Sequence, residues 1–149
     1  MKKIISLALI TVSIAATAAT DPASKVSFTV LNHFTDKFLK AENVDWKVTD
    51  QFVKASFILN GKEMNAFYDN YGELTAVTAK LQFDKLPQRA IMAIGLKYPF
   101  PLYKLTDCIE MQTPNGKTNY YVSLLTDREN IVLEISPNGN VSEFKRLSL

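Results

Sequence analysis

From residue 27 onward, apolar and polar positions alternate in two distinct rhythms. Across 27–42, Val30, Leu31, Phe34, Phe38 and Ala41 fall on one stripe, with His33, Asp36, Lys37 and Lys40 opposite. That spacing predicts an amphipathic helix. A period of two then takes over. Val44, Trp46 and Val48 point one way while Asp45, Lys47 and Thr49 point the other, and Val53, Ala55, Phe57 and Leu59 repeat the pattern. Asn60-Gly61 ends that run with a strong hairpin signal. Two further strands are predicted at 64–68 and 74–81, around the turn Asn70-Tyr71-Gly72.

The order then begins again. Pro87 suits the first turn of a helix, Ala90, Ile91, Ile94 and Tyr98 form its apolar stripe, and Pro99 and Pro101 stop it. Strands are predicted near 103–113, 118–126, 131–136 and 141–147, separated by Pro114-Asn115-Gly116, Asp127-Arg128-Glu129-Asn130 and Pro137-Asn138-Gly139. Gly72 and Gly139 occupy matching turn positions in halves of about 26–82 and 83–149. The expected fold class is therefore α+β: two tandem repeats of one helix and four antiparallel strands. Short turns pair consecutive strands, and each helix covers one face of its own sheet.

Upstream, Met1-Lys2-Lys3, the apolar run 4–16 and Ala16-Thr17-Ala18-Ala19 predict a signal peptide over 1–19. The run is shorter than the roughly 20 residues a bilayer span needs. Cleavage is expected, giving a periplasmic or secreted product, 20–149, with no stable membrane insertion. The sole cysteine, Cys108, leaves none behind the apolar run to carry a lipid and none to form an internal disulfide. The whole sequence has 17 basic and 15 acidic residues. Lys2 and Lys3 leave with the leader, so the remainder is formally neutral. It offers no electrostatic case for nucleic acid or an anionic membrane surface. An apolar share of 47% with one Trp, six Tyr and nine Phe supports a packed core in a single domain.

Candidate chemistry is sparse. His33 reads as a solvent-facing helix residue within reach of Asp36 or Lys37, with no nucleophile near it in sequence. Cys108 sits inside a predicted strand and reads as a packing residue. Asp107 and Glu110 project from opposite strand faces and make a poor carboxylate dyad. Asp69-Asn70-Tyr71-Gly72-Glu73 lacks the calcium-loop pattern, and a hairpin turn accounts for it. Phosphate loops, nucleophile elbows and dinucleotide fingerprints are missing, as is any ligand-spaced His, Cys or carboxylate cluster. The expectation is a non-enzyme with no cofactor and no metal.

Aromatic residues supply the positive signal. Phe67 beside Asn65, Tyr121 beside Asn119 and Phe144 beside Ser142 lie opposite the main apolar set of their strands, and Tyr71 sits in a turn. These four are the candidate protein-binding residues, since such side chains bury large area at low entropic cost. The alternative is that they pack in a two-sided core or cover edge strands.

The helix followed by Val44-Asp45-Trp46, the run Ala66-Phe67-Tyr68-Asp69-Asn70-Tyr71-Gly72-Glu73-Leu74, Leu86-Pro87 and Lys97-Tyr98-Pro99 resemble the PepSY-like, β-lactamase-inhibitor-protein-like (BLIP-like) domains. Tyr120-Tyr121-Val122 and the last Pro-Asn-Gly turn fit the same pattern. The resemblance implies an exported, non-enzymatic protein that binds or restrains a hydrolase or another envelope protein. The inhibitor proteins carry disulfides that this chain cannot form, and no inhibitory loop matches residue by residue. The alternative function is a binder of a small apolar ligand held between helix and sheet near Phe34, Phe38 and Trp46.

Overall fold

In the computed structural model, which describes residues 22–149, a 3-10 turn at Pro22–Lys25 precedes helix α1 (Phe28–Lys37). Strands β1 (Glu42–Val48), β2 (Val53–Leu59), β3 (Lys62–Tyr68) and β4 (Leu74–Lys80) follow. A second 3-10 turn, Phe83–Lys85, leads into α2 (Gln88–Lys97) and then β5 (Lys104–Gln112), β6 (Thr118–Leu125), β7 (Glu129–Ile135) and β8 (Val141–Ser148). The expected signal peptide, 1–19, lies outside the described residues.

The helix predicted over 27–42 is shorter than its stripe. Ser27 caps it, its hydroxyl accepting from the Val30 N–H at 3.3 Å. Phe38 leaves helical geometry at φ −116° while its N–H still donates to the Phe34 carbonyl. The chain must reverse here so that Trp46 can return beneath Phe34. Ala41 reaches the core from that turn rather than from the helix.

All eight strands form one antiparallel sheet in sequence order, β1 to β8. This corrects the expectation of a separate sheet for each half. The join is a short ladder between β4 and β5, where residues 77–80 pair with 109–112. Two separate sheets would each leave an inner edge of unpaired backbone N–H and C=O groups, and joining them satisfies both.

The two helices lie on the same face. α1 sets Val30, Phe34 and Phe38 on Trp46, Ala55, Phe57, Ala66 and Tyr68. α2 sets Ala90, Ile94 and Tyr98 on Cys108, Val122, Leu124, Ile131, Leu133 and Ile135. The strand residues between these, at the alternate positions, point to the other face.

Each helix start is pinned by a distant turn. Gly139 has φ +80°, and a Cβ there would lie 2.9 Å from Arg89 Cβ and 3.2 Å from Pro87 Cβ. Only glycine fits both the left-handed backbone and that approach. Gly72, at φ +85°, stands in the same relation to Thr29 and Val30 with more room, 3.5 Å from Val30 Cγ2.

Candidate functional site

The face opposite the helices is built from the polar-phase residues of the strands. On β1 to β5 it forms a groove of about 810 Å³. Cross-strand register makes its floor: Lys47 on β1 lies opposite Lys54 on β2, which lies opposite Phe67 on β3. One pair further along, the Ser56 hydroxyl donates to Asn65 Oδ1 at 2.7 Å, and Asn65 Nδ2 donates to Thr78 Oγ1 at 3.2 Å. This row ties three strands together through side chains. Phe52 and Phe67 form an aromatic wall with ring centroids 5.9 Å apart. At the far end, Lys80 Nζ meets Asp107 Oδ1 at 2.7 Å, beside Ile109.

Beyond Ile109 the same face becomes apolar. Ile109, Tyr121 and Val132 form a small cluster with Met111 and Phe144 packed against it. The Tyr121 and Phe144 rings meet edge to face at 5.4 Å. The Tyr121 hydroxyl donates to Glu134 Oε1 at 3.0 Å, and Asn119 Nδ2 donates to the same oxygen. Burial, reinforced by the neighbouring Glu134 carboxylate, pushes the Tyr121 hydroxyl up to about 12.

The four aromatic candidates therefore divide. Phe67, Tyr121 and Phe144 share the helix-free face, with Phe67 in the groove and the other two in the adjoining cluster. Tyr121 is only 6% exposed, whereas Phe144 and Phe67 are half-buried. Tyr71 stands apart on the β3–β4 turn, 86% exposed, next to the glycine that abuts α1.

The remaining chemical candidates resolve into packing. His33 stays exposed, but its partner is neither Asp36 nor Lys37: Nδ1 lies 3.1 Å from the hydroxyl of Tyr68, a fully buried residue of β3. Burial raises that hydroxyl to about 12. Cys108 is buried in the α2 core, and burial followed by Asp107 repulsion lifts its thiol to about 11. Such a thiol is inert as a nucleophile. Asp107 lines the open groove while Glu110 lines a second groove of about 420 Å³ on the helix side. Among the described residues no three His, Cys, Asp or Glu side chains group as metal ligands.

The pocket expected between helix and sheet is filled. Phe34, Phe38, Phe57 and Trp46 pack edge to face or tilted with centroids 4.8–5.1 Å apart, and neither groove is lined by Phe34, Phe38 or Trp46. Sequence reading missed Lys54 and the Ser56–Asn65–Thr78 row. Their polar phase on the strands is visible in the sequence, but their meeting depends on hairpin register.

No family model matches the chain, and no curated protein does. Solved structures share its fold. A DUF2874 family protein from Bacteroides uniformis superposes with a TM-score of 0.70 at 13% identity, over 83% of this chain and 89% of that one. A protein from Bacteroides eggerthii, provisionally assigned to the periplasm, gives 0.70 at 13% identity, over 83% and 88%. A BLIP-like protein from Bacteroides fragilis gives 0.66 at 14% identity, over 87% and 92%. At such identities the likeness establishes the architecture alone, an α+β, BLIP-like fold. No helix among the described residues is long and apolar enough to cross a membrane.

Proposed function

We propose that the protein is a non-catalytic, exported binding domain of the PepSY-like, BLIP-like kind, which docks another envelope protein on the open face of its sheet. The observation that carries this reading is the face itself. Eight strands have both helices on one side, and the other side holds a groove of about 810 Å³ walled by aromatic rings. In this reading Phe67 and Phe144 contact the partner, Tyr121 holds Phe144 in position, and Tyr71 contributes from the turn. A hydrolase is the partner class suggested by the BLIP-like neighbour. The leader-like segment 1–19 and the provisionally periplasmic neighbour support export to the periplasm or beyond. The balanced charge of 20–149 argues against nucleic acid.

The two halves of the single domain are, in the same reading, tandem repeats. Val26 and Leu86, Val30 and Ala90, Phe34 and Ile94, and Phe38 and Tyr98 correspond pairwise in the two cores. Gly72 and Gly139 each abut the start of the helix in their own half.

Site-specific cross-linking in the native envelope tests the docking face. A photoreactive residue replacing Phe67 is expected to capture a discrete partner, and one replacing Leu96 on the exposed side of α2 is not. Capture from Leu96 alone, or equally from both, would reject the open face.

The second reading, a small apolar ligand, has lost its helix–sheet location to ring packing. It retains only the open groove, whose volume falls in the usual range of ligand sites, about 300–1,000 Å³.

A further inference from the structure

Four consecutive apolar residues, Pro99, Phe100, Pro101 and Leu102, stand exposed between α2 and β5. Phe100 is 81% and Leu102 65% exposed, and neither lines a groove. Leu96 in the last turn of α2 and Leu105 at the start of β5 are exposed on either side. The base of this tip is fixed. Tyr98 belongs to the α2 core, and Tyr103 packs against that core with its ring edge to face on Tyr98 at 5.1 Å. A contiguous apolar run held out into water marks a contact surface.

The backbone of the tip is as poor in polar groups as its side chains. Pro99 and Pro101 have no N–H, and the Tyr103 N–H donates to the Pro99 carbonyl at 3.2 Å. Across 99–103 only the N–H groups of Phe100 and Leu102 are left to outside acceptors. A loop leaves water at a cost set by such donors, and this loop has few.

The setting is basic at close range, although 20–149 is formally neutral. No acidic residue occurs over 86–106, where Arg89, Lys97 and Lys104 lie. Lys97 Nζ stands 5.4 Å over the Tyr98 ring, and Lys104 makes no ion pair. Of the nearby carboxylates, Asp107 is held by Lys80, Asp84 by Lys85 and Glu143 by Arg146. Asp127, on the β6–β7 turn, has Arg128 beside it. The sheet runs in sequence order, so both helices finish at the end where β1 and β5 begin. There Leu39, 81% exposed, and Lys40 repeat the pairing of apolar residue and cation on a second turn.

We propose that this end of the molecule rests on an anionic lipid bilayer, with Phe100 and Leu102 inserted at the level of the headgroups and Lys97 and Lys104 on lipid phosphates. A second copy is disfavoured, because tip-to-tip contact brings the same lysines together. A protein partner would need a cleft shaped to the tip. A bilayer needs none, since its interior is fluid and phosphates surround every point of entry. The contact leaves the open face of the sheet free, so either reading can fail without the other.

The test is co-sedimentation of the purified protein with vesicles of phosphatidylcholine, alone or with about 30% phosphatidylglycerol. Binding to the anionic vesicles is expected. Phe100→Ser with Leu102→Ser should weaken it at least tenfold, and Lys97→Gln or Lys104→Gln about fivefold each. Phe28→Ser, an equally exposed position at the other end of the sheet, should bind as the parent does. Lipids carrying a paramagnetic label should broaden NMR signals of 99–102 and spare Phe28. That readout also decides the matter where a variant melts lower than the parent. Binding to neither vesicle, broadening elsewhere than the tip, or equal losses from the Phe28 and Phe100 variants overturns the proposal. So does a photoreactive residue at position 100 that captures a discrete protein in the native envelope rather than lipid.

Discussion

His33 Nδ1 on α1 and the hydroxyl of Tyr68 on β3 lie 3.1 Å apart, their rings edge to face at 5.6 Å. The contact joins an exposed helix residue to a fully buried strand residue and gives the buried hydroxyl its partner. Tyr68→Phe is expected to lower stability by about 1 kcal/mol, the net worth of one hydrogen bond. Tyr68→Ala should cost about 3–5 kcal/mol through the cavity it leaves. A double-mutant cycle with His33→Ala in urea isolates the pairwise contribution. Additive effects would show that the bond contributes nothing measurable.

Alkaline pH should loosen the fold in two steps. Cys108 is raised from 9.0 to about 11, and Tyr68 and Tyr121 are raised from 10.0 to about 12. Each group keeps its proton longer when folded, so the unfolded chain loses protons first as pH rises. This contribution is complete below pH 9 and falls away through about 11 for the thiol and about 12 for the phenols. Urea midpoints measured across that window check the order, and Cys108→Ala should remove the earlier step. At neutral pH a thiol reagent should label Cys108 only after unfolding.

The turn glycines should rank by the space around them. Gly139→Ala meets Arg89 Cβ, the Ala90 nitrogen and Pro87 Cβ, whereas Gly61→Ala, at φ +76°, meets nothing within 4 Å. Backbone strain alone is worth about 1–2 kcal/mol, and Gly139→Ala should exceed it through collision with the start of α2. Gly72→Ala should fall between. Thermal melts of the three variants settle the ranking, and equal losses would reject the docking of turn on helix.

The middle of the sheet should open before its neighbours in the second half. The β4–β5 ladder pairs four positions, against six for β6–β7. On its helix side lies a groove lined by Leu59, Met64, Val77, Ala79 and Glu110 rather than a helix. Native-state hydrogen exchange is expected to find the amides of residues 77–80 less protected than those of 131–135, despite their central position. Equal protection would indicate one cooperative unit spanning both cores.

Local periodicity alone carried the helix stripe of Val30, Phe34 and Phe38, the strand phases of β2 and β6, and the hairpin at Asn60-Gly61, because side-chain direction repeats with the backbone. The same phase put Phe67, Tyr121 and Phe144 opposite the core residues of their strands. It also shows Lys47 and Lys54 as polar positions, and nothing more. That they oppose each other, that His33 reaches Tyr68, and that β4 pairs β5 to merge two sheets into one are decided by the tertiary structure. Register and strand partnership join residues far apart in the chain, and they are set by which backbone edges would otherwise go unpaired and which apolar faces must be covered. No local pattern in the sequence records that choice.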